Sequence, residues 1–176
     1  MYYGKILTVD VANGPGMRVT LFVSGCRNCC EGCFNKDTWD FKYGKEFTDD
    51  ICEKMFSELA QNYCQGLTIL GGEPLEPENQ EDLLNLIEKF RNRFGNKKDI
   101  WLFSGFTYEE IHYEASRCYS DTARNILKGV DVLVDGRFVL AEKDVTLKFR
   151  GSRNQRIIDL VKTRKEGKLV LSPYNN

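Results

Sequence analysis

Four of the seven cysteines in this 176-residue chain fall within one run, Cys26-Arg27-Asn28-Cys29-Cys30-Glu31-Gly32-Cys33. Thiolates this dense in a short segment are poor core material and good soft-metal ligands. The spacing supports two readings. Cys26, Cys30 and Cys33 form a C-x3-C-x2-C triplet, while Cys26/Cys29 and Cys30/Cys33 form two abutting C-x2-C pairs. The triplet leaves a metal position open to a substrate, whereas the pairs describe a closed four-thiolate site. Structural zinc favours two separated pairs, but Cys29 and Cys30 are adjacent and the only histidine is distant His112. Iron–sulfur clusters ordinarily take four cysteines, so three would leave one iron uncapped. Reduced cysteines with no metal are the third reading.

Other residues that could do chemistry follow strand-like segments. Gly71-Gly72-Glu73-Pro74 combines two glycines, which let a ligand approach the backbone, with a carboxylate. A C=O of this turn could accept from an ammonium group, with Glu73 supplying negative charge nearby. By itself the sequence is an ordinary turn. Asp10 and Asn13-Gly14-Pro15-Gly16-Met17-Arg18 also read as a turn, with Arg18 a candidate site residue. Ser104 and Asp135 are candidates for ligand or partner contacts. His112 reads as a half-buried or surface residue, and Trp39 and Trp101 as core or interface.

The elements that must position these residues can be read from periodicity. Residues 17–24 have the β-branched and aromatic density of a strand and run directly into Cys26. A helical pattern covers residues 49–63, followed by a short apolar strand at 67–70. A second helix spans 78–94, with Leu83, Leu84, Ile87 and Phe90 on one face and Pro77 just before it. A strand at 98–103 follows. Thr107 and Glu110 have capping-box spacing and open a third helix. A short helix at 121–128, a strand at 130–134 and two weaker strand signals at 145–149 and 168–171 complete the pattern. Alternating strands and helices imply βαβ units and a parallel sheet. Cys26, Gly71, Ser104 and Asp135 all follow strands, on the edge where such sheets bind ligands. A complete eight-fold barrel takes about 250 residues. The expected fold is therefore α/β: one domain over residues 1–176, built as a partial (incomplete) β/α barrel.

Composition excludes several classes. The formal net charge of -1 gives no polycation signature for nucleic acid. Residues 141–176 carry nine Lys+Arg against four Asp+Glu, a local balance of +5, which suits either an acidic partner or plain solvation. No apolar run approaches the roughly 18 residues of a membrane span. The N-terminus lacks the layout of a secretory signal, and the odd cysteine count argues against a full disulfide framework. A reducing, cytoplasmic location is expected.

The flanks of the triplet resemble radical S-adenosylmethionine (SAM) enzymes that activate glycyl-radical enzymes. Gly16-Met17-Arg18, Phe22, Gly25-Cys26 and Cys30 stand at that family's spacing. Gly32 occupies the position of an aromatic residue, and Phe34 follows the last cysteine instead. That departure is similar to the activators of anaerobic ribonucleotide reductase, as are Asn13–Gly16, Leu21–Cys26, Phe34-Asn35-Lys36, Thr38-Trp39, Leu133–Gly136, Gly151-Ser152 and Asn154-Gln155. The resemblance implies a radical SAM oxidoreductase with one [4Fe–4S] cluster per chain, held by Cys26, Cys30 and Cys33. The fourth iron would chelate the methionine moiety of SAM, and one electron would release a radical that takes hydrogen from a glycine of the large reductase subunit. Gly32, Cys33, Phe34, Gly71, Gly72 and Glu73 would lie against SAM. Cys29 has no implied role. The implied partners are anaerobic ribonucleoside-triphosphate reductase and a flavodoxin-type reductant, with neither nucleic acid nor membrane. Two alternatives stay open: an activator of a formate-lyase-type enzyme, and a non-catalytic iron–sulfur or zinc module using all four clustered cysteines. Cys52, Cys64 and Cys118 are expected to pack, the first two in the first helical region.

Overall fold

A computed structural model describes residues 1–175. Seven strands form one open sheet in the order β3-β1-β2-β4-β5-β6-β7. The central strands β2 (Met17–Val23), β4 (Cys64–Gly71), β5 (Asp99–Phe103) and β6 (Val132–Asp135) run parallel. Antiparallel strands flank them: β1 (Tyr2–Asp10) and β3 (Lys45–Glu46) on one side, β7 (Arg156–Asp159) on the other. The sheet is thus mixed, with the expected parallel arrangement confined to its centre.

Alternation along the central strands gives the sheet two different faces. Val19, Leu21 and Val23 of β2, Leu67 and Ile69 of β4, Ile100 and Leu102 of β5 and Leu133 of β6 share one buried cluster with the helices. Into it α1 (Asp49–Leu59) brings Met55, Phe56 and Leu59, α2 (Pro77–Phe94) brings Leu83, Ile87 and Phe90, and α4 (Asp121–Gly129) brings Ile126 and Leu127. These spacings are the apolar stripes of amphipathic helices. The intervening positions include Trp101, Phe103, Val132 and Val134, which pack with Ile157 and Phe149 on the face without helices. The β6–β7 connection and the C-terminal segment cover that face: Phe149 and Tyr174 each lie edge-on or tilted against Trp101, with centroids 5.5 and 5.9 Å away.

Local signals explain where the elements begin. Thr48 and Ser120 cap α1 and α4 through their side chains, and Thr107 with Glu110 forms the anticipated capping box at α3 (Tyr108–Ile111). Three features differ from expectation. Residues 145–149 form no strand, since Phe149 takes φ +57° to deliver its ring to Trp101. Residues 168–171 contribute only an isolated bridge, Leu171 to Ile158, and instead follow α5 (Leu160–Glu166). Cys64 opens β4 instead of ending a helix, and it is buried with Cys52 and Cys118. No helix among the described residues is long and apolar enough to cross a membrane.

Candidate functional site

The cysteine loop leaves the carboxyl end of β2 and is strapped down on two sides. Gly25 N–H donates to Thr38 O at 2.7 Å and Cys26 N–H to Trp39 O at 3.1 Å, tying it to the single-turn helix Lys36–Trp39. Gly72 N–H donates to Val23 O at 2.8 Å and Glu73 N–H to Gly25 O at 2.7 Å, tying it to the turn after β4. Both glycines of that turn are required sterically. Gly71 has φ +120°, and a Cβ on Gly72 would sit 2.6 Å from Gly25 O and 2.8 Å from Thr38 O.

These segments enclose a cavity of about 360 Å³ on the helix-free side of the sheet. Cys26, Cys30, Cys33, Phe34, Gly71, Gly72 and Glu73 all line it, together with Ser104 at the end of β5. Cys29 does not: it is exposed, with φ +47°. Gly32 lies outside the lining, tucked under Leu140 and Phe138. Phe34 is 71 % exposed and meets the Phe138 ring edge-on at 5.6 Å. Ala12 and Asn13 reach the cavity, whereas Arg18 does not. Its guanidinium is buried under the sheet, donating to Thr68 Oγ1 at 2.7 Å, Leu67 O at 3.0 Å and Asp99 at 2.6 Å. Arg18 is therefore a brace between β2, β4 and β5. Asp135 is spent on Tyr108 N–H and Arg156, and exposed His112 bonds its own helix through Tyr108 O.

Glu73 has a different role from the charge anticipated beside a bound ammonium. Its carboxylate is wholly buried and accepts from Leu75 N–H, Ser104 Oγ, Gly105 N–H and Asn28 Nδ2 at 2.7–3.1 Å. It joins the turn after β4 to the end of β5 and to the cysteine loop. Burial pushes its pKa up to about 7, against the pull of those donors. Gly72 lines the cavity and its carbonyl accepts no hydrogen bond among the described residues, which leaves that carbonyl free to serve as an acceptor for a ligand. Glu76, also fully buried, holds the loop from outside: it accepts Arg27 N–H and the Arg27 and Arg117 guanidinium groups at 2.8–3.2 Å.

Burial raises the Cys26 thiol to about 12, with the Glu73 charge adding to the effect, and burial likewise raises Cys30. Thiols in this setting become ligands when a cation supplies the charge that burial withholds. Asn35 N–H donates to Cys33 Sγ at 3.4 Å, the kind of contact that supports a metal-bound thiolate. Among the described residues no three Cys, His, Asp or Glu side chains are arranged to hold a single ion. A multi-iron cluster asks for less convergence, because each thiolate serves its own iron. Three soft donors opening onto one cavity fit such a group. Exposed Cys29, outside the cavity, leaves the closed four-thiolate zinc arrangement unformed.

Comparison with known proteins agrees with this donor chemistry. A family described as a 4Fe-4S single cluster domain matches residues 12–158. The anaerobic ribonucleoside-triphosphate reductase-activating protein of Enterobacteria phage T4 is 42% identical over 159 residues, covering 89% of this chain and 93% of the relative. The chain belongs to that activating-protein family. Family members of the same name from Vibrio cholerae and Escherichia coli K12 are each 38% identical over 157 residues, covering 88% of this chain and 96% of theirs. The resemblance first carried by the cysteine loop thus extends along almost the whole sequence. Sequence reasoning missed Asn28, which links the loop to Glu73, and the cavity contribution of Phe138 and Arg150. An Asn between two cysteines gave no signal for its role, and Phe138 and Arg150 fall outside every element and motif read from the sequence.

Proposed function

We propose that this chain activates anaerobic ribonucleoside-triphosphate reductase by generating the glycyl radical of its large subunit from SAM at a [4Fe–4S] cluster. Cys26, Cys30 and Cys33 would hold one cluster per chain, and SAM would lie in the cavity lined by Cys33, Phe34, Gly71, Gly72 and Glu73, with Gly32 outside it. The observation that carries this reading is the shared cavity: all three triplet thiols and the Gly71-Gly72 turn open onto it, while Cys29 does not. The family relationship supplies the reductase as partner. When bound, the reduced cluster supplies the electron that cleaves the sulfonium of SAM.

The chain's own residues bind, orient and shield. The Gly72 carbonyl would be the acceptor for the SAM ammonium. Glu73 keeps that carbonyl in register with the cysteine loop through Gly105 and Asn28. Phe34 and Phe138, packed edge-on against each other, give the cavity an apolar wall. No general base is required, in keeping with the lone, outward-facing histidine. Helices on one face of the open sheet and a cavity on the other support reading the fold as one domain over residues 1–176, an incomplete β/α barrel of the radical SAM type. A flavodoxin-type reductant and a cytoplasmic location complete the proposal.

Anaerobic reconstitution with iron and sulfide, followed by SAM and dithionite, tests it. The proposal expects 5′-deoxyadenosine without any partner protein. A protein that carries an intact cluster and binds SAM but never cleaves it would overturn the enzymatic reading.

A further inference from the structure

Phe34 both lines the cavity and is 71 % exposed, so its ring stands where the cavity opens to solvent. The side chains beside it continue an apolar surface outward. Phe138 meets the ring edge-on at 5.6 Å. Leu140, 42 % exposed, packs with Phe138 over Gly32: a Cβ on that glycine would lie 2.9 Å from Leu140 Cδ1 and 3.4 Å from Phe138 Cε1. Lys143 Nζ stands 5.1 Å from the centre of the Phe34 ring. Single exposed apolar side chains are ordinary on a globular protein, but a run of them joined to a cavity marks an interaction surface.

The charge of this edge is one-sided. Residues 137–153 of the β6–β7 connection supply Phe138, Leu147, Phe149 and Arg150 to the cavity lining, and they carry five Lys+Arg against two Asp+Glu. Asp144 is paired with Arg153, and Arg137 with Glu110. Exposed Lys143 and Lys148 form no ion pair among the described residues. An ammonium held over an aromatic ring and left without a carboxylate suits a partner that brings an acidic group to the lysine and an apolar one to the ring.

We infer that the edge formed by Phe34, Leu140 and Lys143 is the docking surface for the glycine-bearing segment of the reductase large subunit, and that this segment carries apolar and acidic side chains beside its glycine. The inference rests on the proposed function, which requires that glycine to reach the cavity assigned to SAM, and Phe34 marks an opening of that cavity. A segment seated there lays its apolar side chains on Phe34 and Leu140 and sets a carboxylate against Lys143.

The test titrates the large subunit against full-length chain reconstituted with iron and sulfide, in the presence of SAM and dithionite, and reads the initial rate of glycyl radical formation by electron paramagnetic resonance. Leu140→Ser and Lys143→Glu change the edge at residues with no part in holding the cluster or SAM. Each should raise the half-saturating concentration of the large subunit about tenfold. Maximal rate, iron content and the 5′-deoxyadenosine formed without reductase should stay as in the unaltered protein. Added salt should raise the half-saturating concentration of the unaltered protein and narrow its difference from Lys143→Glu. Leu140→Ala and Lys143→Ala provide the same readout if a first variant loses its cluster. Unchanged half-saturation in both variants would overturn the inference. So would an effect that is absent with dithionite and present only with a flavodoxin-type reductant, which would assign the edge to the reductant. A changed sedimentation mass of the variant chain alone would overturn it as well, by assigning the edge to a second copy. If the unaltered protein holds a cluster yet forms no 5′-deoxyadenosine, the underlying functional reading fails instead, before any variant is compared.

Discussion

Replacing Glu73 with Gln should remove a specific pH dependence from the stability of the cluster-free chain. In the unfolded chain this carboxyl titrates near 4.5, and in the folded chain burial raises it to about 7. Below the lower value both states hold the proton. Between the two, the folded state keeps a proton that the unfolded state has released, so rising pH weakens the fold. Above about 7 both are ionised and the whole cost of burying the anion is present. The rise from 4.5 to about 7 makes that cost about 3 kcal/mol, at about 1.36 kcal/mol for each tenfold change in proton affinity. Four donors already favour the anion, so this cost is what remains after they have acted. Urea denaturation at intervals from pH 4.5 to 8 measures it directly. The unaltered chain should lose about 3 kcal/mol more than Glu73→Gln across that window. Parallel pH profiles for the two proteins would refute the reasoning, because they would mean that Glu73 is ionised throughout in its pocket.

Four further substitutions probe the cluster loop. Cys30→Ser should abolish iron incorporation while Cys29→Ser leaves iron content and SAM cleavage near normal; equal damage from both would remove the triplet assignment. Gly72→Ala forces a methyl group against Gly25 O and Thr38 O, so denaturation should show a loss of about 1–3 kcal/mol and iron analysis a reduced cluster content; normal values for both would contradict the close approach. Glu76→Gln withdraws the charge shared by Arg27 and Arg117, and limited proteolysis of the cluster-free chain should then cut the cysteine loop faster than in the unaltered protein, with unchanged cutting counting against the clamp.

Much of this site was readable because its residues obey local rules. The triplet spacing, the glycine pair after an apolar run and the Thr107/Glu110 box each carry their own signature; the glycine turn and the capping box form, and the three triplet residues line one cavity. Other features depend on partners distant in sequence. Strand β1 is mostly half-exposed and includes Gly4, so it lacks a clean alternation, and β7 has only four residues. Val145 and Phe149 have strand-forming side chains, but Val145 is 87 % exposed and Phe149 serves Trp101 across the sheet. Glu73 was legible as a functional carboxylate, yet its use as an internal acceptor depends on Ser104 and Gly105, which only the fold brings within reach. Arg18 shows the converse: a basic residue beside a suggestive turn becomes a buried brace once Thr68 and Asp99 lie next to it.

The central claim is tested most directly by mixing the reconstituted chain anaerobically with SAM, a reductant and the large subunit of an anaerobic ribonucleoside-triphosphate reductase, then recording the paramagnetic resonance spectrum. The account predicts a glycyl radical on the reductase that depends on SAM and is absent with Cys30→Ser. Formation of 5′-deoxyadenosine with no radical on the reductase would contradict it.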